Sequence, residues 1–240
     1  HIQEGWTFSG LAPEDGPGAA VTLRHTATGR HKTIRPTVLI GADGAGSAVR
    51  GALGPGYHLP TVALLQAKII LPKGHPHHLV HIWFNRETTP YFYWLVPDSS
   101  QTGVVGVIVN HGTGARQALD GFINQMGWEA LEYEHGYTTL YVPGFRPEAH
   151  WNGLRICLVG DAAGQVKTTT VGGTVAGLRG AAACVRAITR HTPYRRELAP
   201  LRRELWMHSF IRRFLNPLDD GCLLYTSPSP RDRTRSRMPS

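Results

Sequence analysis

The most constraining feature of this chain is the stretch 155–183, RICLVGDAAGQVKTTTVGGTVAGLRGAAA. It opens with an apolar run at 156–159, then passes through Gly160 and Asp161 into a loop of small residues. Lys167 and three threonines follow, and Gly172 and Gly173 stand at the head of a long Ala/Gly-rich segment. A short apolar run ending in glycine reads as a buried strand, and the Ala-rich segment reads as a helix. Small residues leave the main chain uncovered, so a ligand can approach the loop closely. The start of the helix adds N–H groups without intrahelical partners and a partial positive charge. The unit therefore suits an anionic or carbonyl-rich ligand.

Length and charge narrow the classes. A chain of 240 residues forms one large domain or two modest ones. No apolar run approaches the ~18–20 residues of a membrane span, and the start at His1 carries no signal-type segment. The net charge is +8, of which residues 222–240 contribute +3 through four arginines and one aspartate, leaving +5. That terminal stretch, CLLYTSPSPRDRTRSRMPS, resembles the translation of a transposase-based sequencing adapter. It is set aside as a non-native disordered tail, a natural basic tail being the alternative. With the tail removed the positive excess is small, and no zinc-finger or RNA-recognition pattern occurs, which argues against a nucleic-acid partner. There is no G-x-x-x-x-G-K-[ST] loop for nucleotide hydrolysis and no G-x-S-x-G elbow. Cys157 in the apolar run and Cys184 in the Ala-rich helix read as buried reduced thiols of a cytoplasmic protein, and no C-x-x-C spacing occurs.

Along the chain, residues 6–26 alternate weakly and are broken by APEDGPG, after which 21–26 and 32–34 read as a hairpin turned by ATGRH. The run VLIGADG at 38–44 reads as a buried strand ending in a Gly-Asp-Gly turn, with Ser47 capping a short helix through Arg50. From 61 onward strand follows strand: 61–71, 79–84, 91–96 and 102–110, with turn signals at the short spacing of antiparallel pairing. Residues 115–127 have helical spacing with Leu119, Phe122, Ile123 and Met126 on one face, and 132–142 reads as a further strand. In the aromatic run 91–97, Phe92, Trp94 and Val96 share one face and Tyr91, Tyr93 and Leu95 the other. Two apolar faces mean burial on both sides, or one face lining an apolar ligand cavity.

The histidines 75, 77, 78 and 81 fall in a Pro/Gly turn without carboxylate or cysteine, so no metal site is assigned. Residues 197–215 read as one amphipathic helix, with Leu198, Leu201, Leu205, Phe210 and Leu215 inward and Arg202, Arg203, Arg212 and Arg213 exposed. Such a basic helix is a solvated surface helix or a peripheral membrane contact.

Taken together, GADGAGSAVR at 41–50 and LVGDAAG at 158–164 resemble the two internal motifs of FAD-dependent oxidoreductases of the aromatic-hydroxylase type. Within that superfamily, GDAAGQVKTTTVGG is similar to the geranylgeranyl reductase family, which reads GDAAG-x-V-K-P-T-T-G-G-G-I; Thr168 here replaces the proline and Val171 the first glycine. The family's substrate motif, P-x-x-Y-x-W-x-F-P, falls on Thr89, Phe92, Trp94, Val96 and Pro97, with Trp94 and Pro97 identical. The resemblance implies an α/β (α+β) fold: a partial Rossmann-like FAD-binding domain, an inserted antiparallel sheet for substrate, and C-terminal helices. The implied division is 1–54 and 150–192 for FAD, 55–149 for substrate and 193–221 for the terminal helix.

It further implies that Asp161 binds the ribityl chain, that Gly160, Ala162 and Gly164 admit the pyrophosphate, and that the segment from Lys167 to Gly173, with Lys167, Thr169, Gly172 and Gly173 foremost, wraps the isoalloxazine. Gly41, Asp43, Gly44 and Ser47 would support the cofactor from the other motif, and Phe92, Trp94 and Pro97 would line a prenyl-lipid tunnel. The implied activity is reduction of prenyl C=C bonds by a monomeric enzyme using FAD, with NADPH as reductant; no proton donor is identifiable. An oxygen-dependent monooxygenase or halogenase on the same fold is the alternative, and a non-catalytic membrane-associated lipid-binding protein a second. The family's opening G-x-G-x-x-G turn and its ribose-binding acid do not occur in these residues. Both would precede His1, so the chain reads as a fragment expected to bind FAD weakly or not at all.

Overall fold

The structure, a computed structural model, describes residues 1–16 and 18–218. The tail at 222–240, with Cys222, lies outside the described residues. In chain order the first elements are β1 (Trp6–Pro13), β2 (Ala19–His25), β3 (His31–Ile34), β4 (Val38–Gly41) and α1 (Ala48–Ala52). Then come β5 (Thr61–Ile70), β6 (His81–Trp83), β7 (Tyr93–Pro97), β8 (Thr102–Asn110), α2 (Ala115–Gln125) and β9 (Ala130–Thr139). The chain continues through β10 (Glu148–Trp151), β11 (Leu154–Leu158), α3 (Thr174–Thr189), α4 (Tyr194–Glu197) and α5 (Ala199–Leu215). This is the expected mixed α/β composition. It falls into two compact units, residues 1–60 with 138–210, and residues 61–137 with the chain from 211.

The first unit is layered. At its centre β4 runs parallel to β11, Leu39 opposite Ile156 and Gly41 opposite Leu158. β10 extends this sheet antiparallel to β11. The two are joined by Asn152 and Gly153, whose φ of 48° and 83° are those of a tight hairpin turn. The sequence reading has no strand at β10, because four residues are too few to show a period. Alternation along β11 then sorts the faces. Leu154, Ile156 and Leu158 pack with Phe8, Val21 and Leu23 of the antiparallel β1–β2–β3 meander. Cys157 and Val159 face Ala176, Ala183, Cys184 and Ala187 of α3, with Tyr194, Leu201 and Leu205. The alanine-rich face of α3 lets this helix lie close to the sheet. A hydrogen bond to Cys184, reinforced by burial, pushes the Cys157 thiol well above its ordinary value, in keeping with the buried reduced pair read from the sequence.

The second unit is a five-stranded sheet of order β6–β7–β8–β5–β9. The printed registers β6/β7, β7/β8 and β5/β8 are antiparallel. One face is closed by α2: Leu65, Ala67 and Ile69 of β5, Tyr93 and Leu95 of β7, and Val105, Val107 and Val109 of β8 meet Leu119, Phe122 and Ile123. These three are the helix positions that the spacing puts inward, and Met126 packs at their edge. The aromatic strand therefore has one buried face. Its other face carries Trp94 opposite Gly106, and Val96 opposite Val104 and 42% exposed. A Cβ at Gly106 would stand 2.2 Å from Cζ2 of Trp94, so the indole lies on bare backbone.

The terminal helix differs from its expectation in two ways. It is split into α4 and α5, with Pro200 in the first turn of α5, where its missing N–H costs nothing. Leu198, Leu201 and Leu205 are buried, but Phe210 is 46% exposed, and Arg212, expected outward, is half-buried with its guanidinium 4.2 Å from the Tyr91 ring. Helical phase explains both. At about 100° per residue, position 212 returns to the side of 205 while 210 turns away from it. Arg212 also donates to the Pro90 carbonyl.

Replacing Gly106 by alanine is expected to displace the Trp94 indole and lower stability by about 1–3 kcal/mol. A thermal melt, with tryptophan fluorescence following the ring, checks this.

Candidate functional site

Parallel strands end on the same side of a sheet, so the loops leaving β4 and β11 are neighbours from the start. The pairing continues one residue past the strands, where Val159 N donates to Gly41 O at 2.9 Å. On the β4 side, Asp43 organises the turn: its Oδ1 accepts from Ser47 Oγ at 2.6 Å and its Oδ2 from Val49 N at 3.0 Å. Ser47 Oγ in turn accepts from Arg50 N at 2.9 Å and so caps α1 as the sequence suggests.

The two loops are tied by a residue to which the sequence reading gave no role. Arg50 is 9% exposed. Its Nη1 donates to Ala162 O at 3.0 Å and to Asp161 O at 3.5 Å, and its Nη2 donates to Ala45 O. Burial pulls its pKa down and Asp43 opposes the shift, but a guanidinium stays charged under any ordinary condition. One cation thus satisfies carbonyls of both loops.

Asp161 is held from a third direction. Its Oδ2 accepts from Thr138 Oγ1 at 2.7 Å, and its carbonyl accepts from Thr139 Oγ1. Both threonines are buried, and neither was singled out in the sequence, because an apolar strand end gives no sign of where its hydroxyls point. The Asp161 carboxylate lies against the start of α3: a Cβ at Gly173 would meet Oδ1 at 2.8 Å. Gly173 immediately precedes that helix and gives it no side-chain cap. The sequence assigned it to close approach, and here the nearest group is this carboxylate, whose charge complements the helix end.

The other glycines divide by cause. A Cβ at Gly41 would come within 2.8 Å of Leu158 Cδ2, and one at Gly164 within 3.1 Å of Leu140 O, so neither position has room for a side chain, and Ala162 is fully buried. Gly44, Gly160 and also Gly164 have φ of 78°, 62° and 62°, which glycine adopts without cost. Above Gly44, Gly46 and Gly160 a Cβ would meet nothing within 4 Å, so the chain leaves open space over both loops. Gln165, also unassigned in the sequence, locks the underside. Its Oε1 accepts from Gly160 N at 2.7 Å, its Nε2 donates to Tyr194 Oη at 3.0 Å, and it occupies the space that a Cβ at Gly180 would need. Burial raises the Tyr194 phenol, which remains a neutral donor.

Residues 167–172 form a closed loop: Lys167 N donates to Gly172 O at 3.1 Å and Val171 N to Lys167 O at 2.8 Å. Val171 sits at φ 55° and is buried. The left-handed region costs a β-branched residue on the order of 1–2 kcal/mol, and the loop's closure holds it there. Lys167 Nζ pairs with Glu204 at 3.4 Å and Thr169 Oγ1 bonds His208 Nδ1 at 2.8 Å, so both side chains engage α5. Glu204 also pairs with Arg179. Thr168 Oγ1 is buried without a hydrogen-bond partner.

Phe92, Trp94 and Pro97 belong to the other unit. Phe92 stands edge-on to Trp94 and to Phe84, both at 6.4 Å, and Pro97 ends β7 opposite Gly103. His75 and His81 approach to 5.0 Å in their turn. Among the described residues no group of three or more His, Cys, Asp or Glu is arranged to hold a metal, and no helix is long and apolar enough to cross a membrane.

Residues 7–190 match a protein family described as FAD binding domain. The phenol 2-monooxygenase of Pseudomonas sp. (strain EST1001) is 28% identical over 160 residues, covering 62% of this chain; the chain spans about a quarter of that relative's length, 25%. Among solved structures, a geranylgeranyl bacteriochlorophyll reductase-like protein from Thermoplasma acidophilum aligns at TM-score 0.71 and 20% identity. That alignment covers 91% of this chain and 59% of the other. The flavin-dependent brominase Bmp2 aligns at TM-score 0.63 and 14% identity, over 95% of this chain and 62% of the other. At these identities the likeness is one of fold.

The residues present fit a flavin nucleotide. The loops offer backbone under open space at Gly44, Gly46 and Gly160, a helix start at Gly173 without a side-chain cap, and a positioned carboxylate at Asp161.

Two outcomes follow from this geometry. Arg50→Met removes the shared cation while keeping the stem, and is expected to cost about 2–4 kcal/mol, read by denaturant unfolding. Burial, with Lys167 beside it, holds His208 below its ordinary pKa, against the pull of Glu204. The unfolded chain therefore binds this proton more readily, and the contribution is present above pH ~6.5 and lost as pH falls below it. His208→Gln is expected to flatten the fall in melting temperature between neutral and mildly acid pH.

Proposed function

Since the chain belongs to the FAD binding domain family, we propose that the paired loops after β4 and β11 hold FAD for an oxidoreductase whose substrate is an apolar prenyl chain. The observation carrying the reading is the Asp161 carboxylate, set by Thr138 against the uncapped start of α3. Bound FAD would supply two-electron hydride chemistry, which no side chain of the loops can perform. The chain's own part is to bind and orient. Asp161 offers its carboxylate to ribityl hydroxyls, and Gly160 gives backbone access to the phosphates. The helix start at Gly172 and Gly173 would supply partial positive charge to a bound flavin and so favour its reduced state. Arg50 ties the two loops to each other through the Ala162 and Ala45 carbonyls.

The prenyl substrate rests on the GDAAGQVKTTTVGG stretch and on the open sheet face bearing the aromatics Phe92 and Trp94, a face that also carries Lys68 opposite Val104. The likeness of fold to the Thermoplasma protein supports it. NADPH is the reductant proposed with it. A second reading, oxygen-dependent hydroxylation of an aromatic, draws on the 28% identity to phenol 2-monooxygenase.

One experiment separates them. The chain, joined to an ADP-binding G-x-G-x-x-G segment, is given FAD, NADPH and either a geranylgeranyl lipid or phenol, with and without oxygen. Saturation of the lipid without oxygen is the expected result. Oxygen-dependent hydroxylation of phenol, with the lipid untouched, would replace the first reading by the second.

A further inference from the structure

Away from the flavin loops, the second unit holds a cleft of about 460 Å³ between residues 85–88 and α2, the size of a small-molecule site. Asn85 and Thr88 line one side, and Gln117 and Gln125 the other, with Ala118 and Gly121 between them. No lysine, arginine, histidine or carboxylate lines it, so it offers nothing to a phosphate, a carboxylate or a metal ion. Its two rings, Tyr93 and Phe122, are 1% and 4% exposed and stacked on each other at 4.3 Å, which leaves no aromatic face for a nucleobase. What a ligand can reach is amide and hydroxyl: Gln117, Gln125 and Thr88 are exposed and Asn85 is half-buried. The cleft is also preformed. Tyr93 Oη donates to Thr88 Oγ1 at 2.8 Å and lies 3.3 Å from the Ala118 carbonyl, which fastens the segment to the helix. The segment is a closed turn, with Asn85 O accepting from Thr89 N at 3.0 Å and Asn85 Oδ1 from Glu87 N at 3.1 Å. Asn85 Nδ2 is thereby held as a donor at the rim. Gly121 points the same way. It sits inside α2, where glycine costs about 1 kcal/mol against alanine. A Cβ there would meet nothing within 4 Å, and its φ is not in the left-handed region, so neither packing nor conformation calls for the bare backbone.

We infer that this cleft binds an uncharged sugar ring. A sugar hydroxyl both donates and accepts, and a carboxamide does the same, so adjacent hydroxyls of one ring pair with one amide in both directions. Gln117 and Gln125 stand about 12 Å apart along the helix axis, a span that takes one ring or two. The bare backbone at Gly121 between them lets a ring lie close to the helix. Because the walls are fixed before the ligand arrives, little ordering cost is left to offset these bonds. The inference is independent of the flavin reading of the first unit. A free sugar and a glycosyl group carried on a larger molecule present the same chemistry.

The test is saturation-transfer NMR on the full chain, titrated with glucose, galactose, mannose and their methyl β-glycosides, beside thermal melts of each protein without sugar. Saturable transfer to at least one of these sugars is the expected result. Gly121→Leu puts a side chain into the cleft at a position free of steric conflict and improves helix propensity. It is expected to melt no lower than wild type and to lose the signal. Gln117→Ala combined with Gln125→Ala changes two exposed side chains and is expected to weaken binding about tenfold, the worth of roughly two hydrogen bonds. A signal that survives methylation of the anomeric oxygen assigns the cleft to a glycosyl group, and one lost on methylation assigns it to a free sugar. No saturable transfer to any of these sugars would overturn the inference. So would an affinity left unchanged in either variant, since the sugar would then sit elsewhere on the protein.

Discussion

Everything at the candidate site depends on the parallel pairing of β4 with β11. These strands are more than a hundred residues apart in sequence, yet Gly41 and Leu158 stand opposite each other, and the loops that leave them are neighbours for that reason. The pairing demands close packing at its end: Gly41 has no side chain because Leu158 and Val49 fill the space. Once the strand ends are fixed, Arg50 can reach the carbonyls of Asp161 and Ala162 from α1, and the two loops become one rigid frame. The glycines above the frame then have nothing over them, which is what a nucleotide needs.

A second order of support comes from residues with no ligand role. Gln165 and Tyr194 hold the backbone of Gly160 from below, and Thr138 and Thr139 hold Asp161 from the side. Each bond engages a buried side chain, Gln165, Thr138 or Thr139, so loss of its partner leaves an unsatisfied atom rather than a mere gap. Such a network is stiff. Stiffness of the supporting shell is what lets a carboxylate present one orientation to a ligand. The loop at 167–172 is fastened differently, by exposed or half-buried ion pairs and one histidine on α5. It is the part of the frame whose fastening responds to pH.

The motif stretches announced themselves in sequence because they combine glycine, aspartate and an apolar run at fixed spacing. So did the face of α2 and the antiparallel strands, since periodicity is a local property. The pairs that do the holding were silent. Nothing in TT at 138–139 distinguishes two buried hydroxyls from a strand end, and nothing in the VR of α1 shows that the arginine turns inward to carbonyls 111 and 112 residues further along the chain. The same blindness produced the errors on α5. Phe210 reads as core and Arg212 as solvent by hydropathy, but the helix phase relative to Leu205 and the ring of Tyr91 reverse them.

The amino-acid sequence by itself therefore determined which segments become strand, loop and helix, and which stretch is poor enough in side chains to receive a ligand. These follow from residue type and short-range period. Only the tertiary structure decided that the two motifs share one frame, that Asp161 lies on the start of α3, and that Thr168 is buried with its hydroxyl unanswered. Burial and hydrogen-bond partnership belong to the packed state, where groups far apart in the chain compete for the same space.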